Sequence, residues 1–150
     1  MDAFETKLKL LIDIVTEKNT KLTQVLNITQ NQETLLKIQN PEPQIAEMLR
    51  DMTLEKHALV EAVIEGDEVF NTLFEGLEDF ENRAQQYKET IRALQEVVKV
   101  AADLDLNIRI AEETNKNIIA SKGMEKPAII RGGKQDLLNK YKTNYKREET

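Results

Sequence analysis

A chain of 150 residues, 40% hydrophobic and 32% charged, is long enough for one domain with a sizeable core. Five glycines, three prolines and 5% aromatics are too few for the turns and strands of a sandwich or barrel, and point to long helices. The net charge of −6 is uneven: from Lys122 onward eight Lys/Arg face four Asp/Glu, a segment of +4 that leaves −10 on the body and disfavours binding to nucleic-acid phosphate.

The first helix is expected over residues 3–39. Asp2-Ala-Phe-Glu5 has the D-x-x-E spacing of a capping box. Phe4, Leu8, Leu11, Val15, Leu22, Val25 and Leu36 then recur at steps of three and four, with Lys18, Thr29 and Gln32 in the gaps. Those polar residues predict loose packing mid-helix, with side chains facing the seam or snorkelling out of it.

Asn40-Pro41-Glu42-Pro43 punctuates the chain, with Asn40 able to cap a helix and a proline tolerated in its first turn. The second helix is expected over 42–78, along Ile45, Leu49, Met52, Leu59, Val63, Phe70, Leu73 and Leu77; Lys56 and Gly66 are weak points. A single helix from Gln44 to Ala120 would leave its seam uncovered, so the chain must bend or find a second molecule. Gly66-Asp67, Gly76 and the polar run 78–86 are candidate bends, and the last divides the chain most evenly.

The third helix is expected over 86–120. Asp103 to Ile110 alternates polar and apolar residues, a strand signal. A lone strand between helices would leave its backbone groups unpaired, whereas a helix at about 100° per residue explains the same pattern as two apolar faces. Val97, Val100, Leu104 and Ile108 share one face, and Leu106 and Ile110 lie almost opposite. Residues 122–150, broken by Gly123, Pro127, Gly132 and Gly133, are expected to form a mobile basic tail, with Leu137, Leu138, Tyr141 and Tyr145 as a short patch that could become helical on contact. The fold expected is therefore all-α: an antiparallel, coiled-coil-like bundle of about three long helices, residues 1–121, followed by that tail.

Catalytic patterns are wanting. The lone His57 follows Leu54 by three residues, where a bundle di-iron site needs Glu. Gly132-Gly133-Lys134-Gln135 has Ala128 and Gln135 where a phosphate loop needs Gly and a hydroxyl. With no cysteine there are no thiolate ligands or nucleophiles, and neither enzyme activity, metal nor cofactor is expected. No apolar run reaches the roughly 18 residues of a membrane span. The start shows no signal-peptide layout, so a cytoplasmic location is expected. The second face of the third helix is left either as bundle core or as a groove for a partner's amphipathic helix.

Leu8-x-x-Leu11-Ile12-x-x-Val15, Thr29-Gln-Asn-Gln-Glu33 and Met52-Thr-Leu-Glu-Lys56-His-Ala-Leu59 resemble segments of the FlgN-type flagellar export chaperones, within the FlgN/FliT-like group. In the third helix Asn115 and Ile118-Ile119 resemble a family pattern whose first Asn position holds Glu112 here. The resemblance spans most of the chain. It implies a cytoplasmic chaperone that holds amphipathic helical termini of hook–filament junction proteins until export, with the export apparatus as a further partner. Val97, Val100, Leu104, Leu106, Ile110, Tyr141 and Tyr145 are the candidate partner-binding residues. The rival reading is a structural coiled-coil protein that uses its third helix to form a homodimer.

Overall fold

The computed structural model describes residues 2–123, so the basic tail from residue 124 onward, with Tyr141 and Tyr145, lies outside the described residues. Three long helices dominate, α1 (Ala3–Leu36), α2 (Pro43–Glu75) and α4 (Lys88–Ser121), with a single turn, α3 (Phe80–Arg83), and a 3₁₀ turn (Ala84–Tyr87) between the last two. The fold is an all-α helical bundle. The alternating stretch Asp103–Ile110 is continuous helix within α4. No described helix is long and apolar enough to cross a membrane.

The caps differ in detail from the sequence expectation. The Asp2 carboxylate accepts the Phe4 N–H at 2.7 Å, but Glu5 turns along the helix to pair with Lys9 at 3.5 Å and does not complete a box. Asn40 does not cap α2; it adopts the left-handed conformation (φ 56°) and reverses the chain, and Glu42 takes the N-cap position before Pro43. Asparagine tolerates that conformation better than most residues do. At the other end α2 runs straight through Gly66-Asp67 and stops at Gly76. Asp79, also left-handed at φ 56°, then turns the chain into α3.

Long-range bonds set the topology. Lys7 Nζ donates to the Gly76 carbonyl at 3.3 Å, and Gln32 Nε2 donates to Thr53 Oγ1 at 3.1 Å, so α2 runs antiparallel to α1. Tyr87 meets Asp2 at 3.0 Å, Asn19 Nδ2 donates to the Val97 carbonyl at 3.0 Å, and Lys122 bonds the Leu36 carbonyl. Hence α4 runs parallel to α1 along its whole length. The buried residues of α1 keep an unbroken four-three spacing from Phe4 through Leu36, the pattern of a coiled-coil seam.

That seam is layered. Phe4, Leu8, Leu11 and Val15 of α1 join Leu94 and Ala101 of α4 in an apolar layer. Next comes a charged layer in which Lys18 pairs with Asp67 at 2.8 Å and buried Asp105 pairs with Arg109 at 2.5 Å. Leu22, Val25, Val60, Val63 and Ile108 form a second apolar layer. A polar layer follows, where Lys56 Nζ donates to Glu112 Oε1 at 2.6 Å and to Thr29 Oγ1 at 3.3 Å, while Asn115 Nδ2 donates to the Thr29 carbonyl at 2.9 Å. Lys18, Thr29 and Gln32 therefore do not snorkel or loosen the helix. They are buried and bonded, because α2 and α4 supply partners that one helix's pattern cannot reveal. Lys56, a weak point of the expected second helix, and Asp105 are likewise buried, 2% and 3% exposed.

At the end where α2 hands over to α4, aromatic side chains close the core. Phe4 stacks on Tyr87 with centroids 5.5 Å apart, and Phe74 tilts against Phe80 at 5.6 Å. The Arg83 guanidinium lies 5.0 Å over the Phe4 ring and also bonds Asp2. The Phe4 N–H holds the Asp2 carboxyl below its usual range against some desolvation, and Tyr87 and Arg83 add to the effect. One aspartate thus caps α1 and anchors the turn before α4.

Candidate partner-binding surface

Helix α4 carries two four-three seams. The inner one, Leu94, Ala101, Asp105, Ile108 and Asn115, is buried. Rotated from it by about 100°, the angle of one residue, runs Ala93, Val97, Val100, Leu104, Asn107, Ala111, Thr114 and Ile118. This second seam lies toward α1, as the Asn19–Val97 bond shows. Ile12 and Leu26 of α1, seven residues to either side of Asn19, are partly buried on that flank of α1, and Val97 and Leu104 pack partway onto the core. Val100 stays 47% exposed. The result is an apolar face shared by α1 and α4, its inner wall fixed by the core and its outer edge open to water.

Leu106 and Ile110 are placed elsewhere. They are 55% and 57% exposed, the highest values among the large apolar side chains of the described residues, and one turn apart on the side of α4 opposite the core. The five candidates of α4 therefore form two surfaces: Val97, Val100 and Leu104 on the flank toward α1, and Leu106 with Ile110 pointing outward. Tyr141 and Tyr145 fall outside the described residues.

A third surface was missed in the sequence. Ile14, Lys21, Ala62, Gly66 and Val69 line a shallow groove between α1 and α2. A Cβ built on Gly66 would meet nothing within 4 Å. The signal was present: Ile14, Lys21, Ile28 and Leu35 recur every seven residues on one flank of α1, outside the seam that periodicity singles out first.

Charge is handled differently inside and outside. Burial pushes the Asp67 carboxyl above its usual range, Lys18 opposes this, and the charge of Asp105 adds to it. Asp67 Oδ2 has no hydrogen-bond partner among the described residues. These groups are 3–8% exposed; Lys18 reaches the floor of the α1/α2 groove, and Asp67 and Asp105 belong to the core. His57 is half-buried, and among the described residues no cluster of three or more His, Asp or Glu could hold a metal ion. What the surfaces can do chemically is bury apolar side chains of another helix. Comparison with known proteins returns no match: no family model fits the chain, and no curated protein or solved structure is similar to it.

Proposed function

We propose that this bundle is a helix-holding chaperone of the flagellar export type, which binds amphipathic helical termini of hook–filament junction proteins in the cytoplasm before export. The observation that carries the reading is the second four-three seam of α4, with Val100 47% exposed at its edge. Val97 and Leu104 are fixed in place by the core behind them, so the face is preorganised and little ordering opposes docking. A client helix laid along α1 and α4 buries its own apolar stripe there and is kept from self-association. The resemblance in α1 and α2 names the client class. The activity is binding without catalysis.

Isothermal titration of the full chain with helical termini of hook-associated proteins tests this. Val100→Asp, an exposed position, should weaken binding roughly ten-fold or more while the helical circular dichroism is kept, since it places a charge in a desolvated contact. Absence of binding across the set of termini rejects the chaperone reading.

The outward pair favours a second reading, a structural dimer built through Leu106 and Ile110. Sedimentation at micromolar concentration distinguishes the two. A tight dimer that Leu106→Asp with Ile110→Asp dissolves, without affinity for the termini, supports the dimer.

A further inference from the structure

The α1/α4 face is bordered unequally. On the solvent side of α4, Glu89, Glu96 and Asp103 follow one another at intervals of seven residues, about 10.5 Å of helix, in the column between the α1/α4 face and the outward surface, which Ile110 continues. All three are exposed, and among the described residues none forms an ion pair with a Lys or Arg. The opposite border, on α1, presents Thr16, Thr23 and Gln30 at the same interval, uncharged between Lys9 and Lys37, which pair with Glu5 and Glu33 on their own helix. Residues that flank a four-three seam at a heptad interval are the ones that choose a coiled-coil partner by charge.

We infer that the α1/α4 face selects a basic amphipathic helix. Its apolar stripe packs on Val97, Val100 and Leu104, and its Lys or Arg residues, repeating every seven positions on one flank, meet Glu89, Glu96 and Asp103. The inference rests on the helix-docking reading and adds the chemistry of the partner. A second copy is the poorer occupant: antiparallel docking through the same face sets the three carboxylates against their own equivalents, and like charges across an interface are disfavoured. Exposed carboxylates act over roughly a Debye length, about 8 Å at physiological salt, so the selection must weaken as salt is raised.

The experiment uses the full chain and three fluorescent 21-residue peptides that share a Leu/Ala four-three stripe and carry Lys, Gln or Glu at one flanking heptad position. In anisotropy titrations at 0.15 M NaCl the Lys peptide should bind about ten-fold more tightly than the Gln peptide, with the difference closing toward 1 M. The triple variant E89Q/E96Q/D103N should lose that difference. The triple variant E47Q/E61Q/E68Q makes the same change in net charge at exposed positions of α2 and should keep it. If both variants lose the difference equally, whole-molecule charge accounts for it and the inference is overturned. Equal affinity for all three peptides also overturns it while leaving helix docking intact, and no binding of any peptide removes both. Two further outcomes overturn it by naming another occupant. One is a dimer dissolved by Val100→Asp, and the other is peptide binding that tightens when Lys134, Lys140 and Lys142 are changed to Gln.

Discussion

Lys18 and Asp67 illustrate what a charge can contribute inside a coiled-coil seam. Desolvating both ions offsets most of their attraction, so the pair adds little net stability, yet removing one partner leaves the other stranded. Lys18→Met should therefore destabilise the bundle by about 3–5 kcal/mol at neutral pH, while Lys18→Met with Asp67→Leu should come out near wild type or above it. Urea denaturation of the double-mutant cycle measures both; additive losses would show that the two do not act as a pair. The pH dependence has a definite sign. Because the Asp67 carboxyl is raised in the folded state, the native protein binds a proton there before the unfolded chain does. Its contribution to stability therefore grows as pH falls through the raised value toward the ordinary one, and shrinks as pH rises. Wild type should gain on Asp67→Asn as the buffer moves from pH 7 toward pH 4, with Lys18, Asp105 and Arg109 held constant. Asp2 has the opposite sign, since its depressed carboxyl contributes above the ordinary range and loses that contribution in acid.

At the scale of single helices, α1 was legible almost residue by residue, because its buried positions follow one strict spacing and each apolar one is a large side chain. Helix α2 was harder to read. Its seam runs through Thr53, Lys56, Val60, Val63 and Asp67, so two charges and a hydroxyl occupy positions that a hydrophobic pattern assigns to Leu59 or Met52. The mates that make those residues affordable inside, Gln32, Glu112 and Lys18, lie 21, 56 and 49 positions away in sequence. The bend between α2 and α4 combines two of the sequence candidates, Gly76 and the polar run after it, because the left-handed Asp79 needs both a stop before it and a fresh helix start behind it. Gly66 was suspected as a bend but is ordinary helix with open space where a side chain would stand. Gly66→Ala should raise stability by about 1 kcal/mol, the usual helix-interior difference, read as a higher urea midpoint at unchanged slope. On the surface, the outward position of Leu106 and Ile110 was visible on a helical wheel. What the wheel could not give was the neighbour of the other flank, because only the fold brings Asn19, on the α1 flank that holds Ile12 and Leu26, to the Val97 carbonyl.

In the molecule as a whole, apolar burial is concentrated at one end. From Phe4 to Val25, α1 buries six large apolar side chains, and beyond Val25 only Leu36. Helix α2 buries nothing fully before Thr53. The aromatic cluster, the Asp2 anchor and the first apolar layer all lie at the α3 end, whereas the far end is held by the Lys56–Glu112 layer and by Lys122 on the Leu36 carbonyl. Segments with few buried apolar contacts open at lower free energy than the rest. Native-state hydrogen exchange should accordingly show amides of 30–36, 46–53 and 115–121 exchanging through the lowest-energy opening, those of 22–25, 60–63 and 106–108 through the next, and those of 8–15, 68–75 and 91–101 last. Uniform protection along all three helices would contradict it.

The charged layer at Lys18, Asp67 and Asp105 also acts as a stop in this unzipping. An opening that starts at the far end can run through Val25, Val60 and Ile108 one contact at a time, but its next step must part Lys18 from Asp67 and rehydrate both together. That requirement divides the rod into two cooperative blocks. The far half can breathe while the aromatic half, with Val97 and Val100 beside it, keeps its shape.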